Sequence, residues 1–163
     1  MRSRILALVA LGAMVVSACS SAAEELTEQI VESGGNGDVE VDMNDGTVSI
    51  SVAGEDGSGS FTVGGGELPE DFPVPIPDGG EVVSVFEGEG DAAVSVLYDA
   101  GSYDEVSAFY EDWVAGADMP EVQTASAEFD GMKSTQWFSP PAGIFISVGE
   151  AIDEVIVTIN ITG

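Results

Sequence analysis

Residues 39–66, "VEVDMNDGTVSISVAGEDGSGSFTVGGG", are apolar at every second position and broken twice by Asp-Gly. A period of two lines one face of a β-strand. Asp-Gly is the favoured pair at a tight hairpin turn, because both central residues need positive φ. A two-residue turn at Asp45-Gly46 sets Met43 opposite Val48, Val41 opposite Ile50 and Val39 opposite Val52. A second, at Asp56-Gly57, sets Val52 opposite Phe61 and Ile50 opposite Val63. Both turns gather the apolar side chains on one face, and a one-residue slip would move all of them to the other. Residues 38–66 are therefore expected to form a three-stranded antiparallel meander. One apolar face of this size does not outweigh the conformational entropy of ordering three strands. The ribbon is expected to dock by that face on the rest of the chain. Failing that, it waits for a partner, and residues 39–63 become the binding site.

Prolines 69, 73, 75 and 77 follow in "GGGELPEDFPVPIPDGG". Proline at alternate positions cannot donate to a sheet and favours an extended path, so residues 67–80 read as a stiff strap. Phe72, Val74 and Ile76 are the side chains it would pack across the domain; a docking motif for a proline-recognising partner is the alternative. Residues 81–163 read as an α+β domain, an antiparallel sheet with one packed helix in the order ββαββββ. A hairpin over 81–86 and 92–98 precedes a helix opened by Ser102 and Glu105 at capping-box spacing. Val106, Phe109, Tyr110, Trp113, Val114 and Ala117 recur at helical spacing, and Gly116 and Pro120 mark the end. Strands are expected near 122–129, 132–138, 143–148 and 154–162. Asp130-Gly131 closes the first pair and sets Glu128 opposite Lys133 as an ion pair.

The start of the chain carries Arg2, Arg4 and an apolar run from Ile5 to Val16, too short for the roughly 20 residues of a bilayer span. It runs into Val16-Ser17-Ala18-Cys19. This order resembles the lipobox signal peptide of bacterial lipoproteins, with Val16 where leucine is usual. The resemblance implies a signal peptide over 1–18, a diacylglycerol or acyl lipid on Cys19, and anchoring at the extracytoplasmic face of the cell membrane. An ordinary secretory signal that happens to end in cysteine is the alternative. Residues 19–37, small, acidic and glycine-rich, suit a flexible tether. Cys19 is the single cysteine, so an intramolecular disulfide is excluded. Residues 67–163, with "LPEDFPVPIPDGGEVV" leading into strands and a Phe-Tyr helix, resemble a domain of uncharacterised bacterial lipoproteins. That group has no assigned activity, so the resemblance speaks to the fold and leaves function open.

Thirty acidic side chains against three basic ones give a net charge of -27. Nucleic acid is excluded as a partner, since phosphate binding needs Lys and Arg. Cations, basic proteins and uncharged surfaces remain, an envelope protein among them. The chain has no histidine, which removes Ser-His-Asp triads, Cys-His dyads and histidine-based zinc sites. A Ser-Lys dyad would have to use Lys133, which Glu128 keeps charged. A carboxylate pair of the glycosidase kind stays open among so many acids, but nothing singles out two of them.

"GEGDAA" at 88–93 fits a dinucleotide glycine pattern, but a strand follows where a helix is required. "GGNGDVEVD" at 34–42 has the look of a single calcium β-roll repeat with its aspartate one place early. The simplest ion site is the outward row Asp38, Glu40 and Asp42, spaced about 7 Å apart along a strand. Calcium takes six to eight oxygen ligands, so this row would need more from elsewhere; the competing role is an edge strand blunted by charge. Trp137 and Phe138, adjacent in a strand, point to opposite faces. One is expected under the helix, and the other is a candidate binding surface. The sequence thus reads as a non-enzymatic, lipid-anchored envelope protein acting as a binding or interaction module. Alternatives are a carrier of a small apolar ligand between sheet and helix, and a carboxylate-based hydrolase.

Overall fold

The computed structural model describes residues 38–44, 46–54 and 57–163. The expected signal segment, Cys19 and the tether lie outside them. Among the described residues, nine strands and one helix follow in order: β1 Asp38–Asn44, β2 Thr47–Gly54, β3 Gly57–Val63, β4 Glu81–Glu87, β5 Ala92–Asp99, α1 Tyr103–Gly116, β6 Gln123–Phe129, β7 Met132–Ser139, β8 Ile144–Glu150 and β9 Glu154–Ile161. All nine strands join one antiparallel sheet ordered β1-β2-β3-β4-β5-β9-β8-β7-β6. The fold is mostly sheet with one helix, and the expected meander is not a unit apart from the α+β domain.

The meander does not dock by its apolar face. It joins edge-on, β3 pairing β4 with Phe61 opposite Phe86 and Thr62 opposite Val85. Backbone hydrogen bonds along a shared edge satisfy donors and acceptors that face-to-face stacking would leave to water. β1 and β2 pair as the first Asp-Gly turn requires, with Met43 opposite Val48 and Val39 opposite Val52. β2 and β3 sit two residues from the expected register, Ile50 facing Phe61 and Val48 facing Val63. A shift of two preserves the apolar face, and this one centres Phe61 between Ile50 and Phe86.

The core lies on the side of the sheet that carries the helix. Val85, Val94, Val96, Val148, Val157 and Ile159 are buried there, and α1 packs over β7 and β8. Tyr103, Val106 and Tyr110 are the buried residues of α1; Phe109, Trp113 and Val114 pack half-buried around them. The Tyr103 hydroxyl lies 2.8 Å from Thr135 Oγ1, fixing the helix start to β7. Ser102 makes no side-chain cap, so the capping box does not form; its carbonyl accepts the Val106 N–H at 2.9 Å.

The strap crosses the same side of the sheet. Val74 is fully buried, with Phe72 and Ile76 packed against the core. The Tyr98 hydroxyl donates to the Pro77 carbonyl at 3.1 Å. Two glycines admit this close passage. A Cβ on Gly80 would come within 2.6 Å of Val96 and Tyr98, and one on Gly66 within 2.9 Å of Val85.

Candidate functional site

Residues paired across an antiparallel sheet point to the same face, so two neighbouring rows of side chains can be followed through all nine strands. The helix-side row runs Asp42, Ser49, Thr62, Val85, Val94, Ile159, Ile146, Trp137 and Thr124. It is polar over β1–β3, apolar from β4 across to β7, and polar again at Thr124 on β6. The opposite row runs Val41, Ile50, Phe61, Phe86, Ala93, Asn160, Phe145, Phe138 and Gln123. It is apolar over β1–β4, then small and polar, then aromatic at Phe145 and Phe138. The sheet changes its greasy side at the β3–β4 junction.

Helix and strap therefore cover the apolar side of one half only. Among the described residues, the apolar face of β1–β3 has no element packed over it. Met43 is 59% exposed, Val63 39% and Val52 37%, while Val41, Val48, Ile50, Phe61 and Phe86 are half-buried among themselves. Phe86 belongs to this patch although the sequence reading passed over it. The available signal was the Val85-Phe86 pair, two adjacent large apolar residues in one strand, which requires apolar surroundings on both faces.

Trp137 and Phe138 divide as their adjacency demands. Trp137 is 4% exposed, its ring 6.3 Å from that of Tyr110 under the helix. It is a core residue and is withdrawn as a contact candidate. Phe138 is 42% exposed on the helix-free face, its ring 6.3 Å from that of Phe145. The two rings help to line a shallow groove of about 370 Å³ with Gln123, Thr124, Ala125 and Gln136.

The acid row lies on β1, which with β6 forms the two edges of the sheet among the described residues. Asp38, Glu40 and Asp42 stand opposite Ala53, Ser51 and Ser49. Among the described residues, no three or more acidic side chains converge as a metal-binding group. Lys133 sits opposite Glu128 as expected, but its ammonium pairs with Asp104 at 2.9 Å. The lysine points to the helix side, where the first turn of α1 offers the nearer carboxylate, and it lies 5.4 Å over the Tyr103 ring. The Asp104 contact raises the Lys133 pKa, so the ammonium stays protonated.

In the core, the Tyr110 hydroxyl is buried and has no hydrogen-bond partner among the described residues. Burial, and then the neighbouring Tyr98, push its pKa above the ordinary phenol value. No family model, curated protein or solved structure matches the chain.

Proposed function

We propose that the chain is an exported, lipid-anchored envelope protein, acylated at Cys19, that serves as a non-enzymatic binding module. Its contact surface is the helix-free face of β1–β4. The observation that carries this reading is the apolar patch from Met43 to Phe86, which no described residue covers, while the equivalent surface of the other half is sealed by helix and strap. An apolar face of this extent on a folded protein marks an interaction site. The lipobox-like start and the resemblance of residues 67–163 to bacterial lipoprotein domains support the address. The lack of histidine supports a binding role over acid–base chemistry.

Photocrosslinking in the native envelope tests the surface. Val52 and Ser51 are neighbours, both exposed, on opposite faces of β2. A photoreactive residue at Val52 should give a defined protein adduct, and the same residue at Ser51 should not. Equal adducts at both positions, or none at either, would count against the face.

A further inference from the structure

We infer that the occupant of the β1–β4 apolar face is a second copy of this chain, the two sheets stacking face to face. The inference rests on the reading of that face as the contact surface. Charge supports it first. In a chain with 30 acids, the described patch positions on β1, β2 and β3 are Val39, Val41, Met43, Val48, Ile50, Val52, Phe61 and Val63, all uncharged. Glu40 and Asp42 of β1 point to the other side. Over β1–β3 a basic partner finds no carboxylate to pair with on this face, and Glu81 lies at the far end of β4. A like-charged copy can approach it without burying a charge, whereas contact through any acidic face would set like charges together.

The chemistry of the patch also disfavours the membrane as occupant. Surfaces that rest in a lipid interface carry Lys, Arg, Trp or Tyr to reach the headgroups, and these eight positions have none. A dimer through the free edge of β1 is opposed as well, since it would bring two rows of Glu40 and Asp42 alongside each other.

Size is the third argument. Four strands spaced about 4.8 Å and seven residues long cover roughly 19 by 24 Å, about 450 Å² per copy in projection. Two copies give about 900 Å², and more as accessible surface because the side chains stand in relief. That comes close to the roughly 1,000 Å² that separates specific interfaces from incidental contacts. β-branched side chains on two such faces interdigitate at a sheet spacing of about 10 Å, as in β-sandwiches.

The test is the mass of the full acylated chain in mild detergent, by sedimentation at about 1 to 100 μM. The native protein should have twice the mass of one chain. Met43→Glu and Val52→Glu should each raise the dissociation constant at least about a hundredfold, because closure would bury an unpaired carboxylate. Both positions are exposed in the single chain, so each variant should keep the native far-ultraviolet circular dichroism spectrum. Ser51→Glu, on the opposite face, should leave the mass doubled. A native protein that is monomeric at about 100 μM, or a dimer that survives both patch substitutions, overturns the inference. If the native protein is monomeric and the Val52 photocrosslinker captures a different envelope protein, the second copy is wrong while the contact face stands. If it captures nothing, both are wrong.

Discussion

Phe61 of β3 stands directly opposite Phe86 of β4, and this pair is the seam between the two halves of the sheet. On one side of the seam the apolar side chains face the helix and strap. On the other side they face away from them. The pair is also the main apolar contact holding β1–β3 to the rest, since its neighbours across the seam are Thr62 with Val85, Val63 with Ser84 and Ser60 with Glu87. Phe86→Ala should therefore loosen the meander, lowering stability by about 1 to 3 kcal/mol for a half-buried aromatic. In hydrogen exchange the amides of β1–β3 should lose protection first, while β5 and β9 keep theirs.

Much of the local pairing could be read from the sequence. The first Asp-Gly turn ties β1 to β2 so closely that Met43, Val41 and Val39 find the partners expected for them. The β2–β3 register was legible only to within two residues, because alternation is blind to a shift that keeps the same face. The β3–β4 seam was not legible. A long strap separates these strands, no turn fixes their register, and the parity of one pairing decides which side the whole apolar face takes. Lys133 shows the same limit. Its cross-strand neighbour followed from Asp130-Gly131, but its ionic partner Asp104 lies on the helix. Phe138 could be separated from Trp137 only once the helix was placed over one of them.

The orphaned hydroxyl of Tyr110 should make its removal favourable. A buried phenol without a hydrogen-bond partner carries its full desolvation penalty. Tyr110→Phe keeps the ring, which packs edge-on to Phe109 at 5.2 Å, and should stabilise the fold by about 1 kcal/mol. Denaturant melts of the two proteins measure this, and a loss of similar size would mean that the hydroxyl has a partner.

Alkaline pH should unfold the protein through the same residues. Burial pushes the Tyr98 pKa up to about 12 and that of Tyr110 higher than normal as well. Below about pH 10 both phenols keep their protons folded or unfolded, so their contribution is constant. As pH rises from about 10 towards 12, the unfolded chain releases protons that the folded chain holds, and stability falls. Each phenol steepens the fall by up to about 1.4 kcal/mol per pH unit. Chemical melts between pH 9 and pH 12 should show a shallower slope for Tyr110→Phe than for the native protein.

The acid row on β1 should keep that edge of the sheet from pairing with another copy. Two copies meeting there would place Glu40 and Asp42 of one beside those of the other, and like charges at that spacing repel. Glu40→Ser with Asp42→Ser should promote association beyond the native mass, visible by light scattering and weaker for either substitution alone. Calcium tests the other reading of the row. A rise in melting temperature with calcium at constant ionic strength, lost in Asp42→Asn, would assign Asp38, Glu40 and Asp42 to an ion.

No described residue covers the apolar face of β1–β3, and Met43 at its edge reports on what does. Met43 and Met132 both lie on the helix-free side of the sheet, 59% and 42% exposed, but only Met43 lies in the β1–β3 patch. Dilute peroxide, applied to intact envelopes and read by mass spectrometry, compares their oxidation rates in the native protein. Met43 should oxidise several-fold more slowly than Met132 in the envelope, and dilution of the purified chain to the single-copy state should abolish the difference. Equal oxidation of the two methionines in the envelope would contradict cover of that face by a second copy.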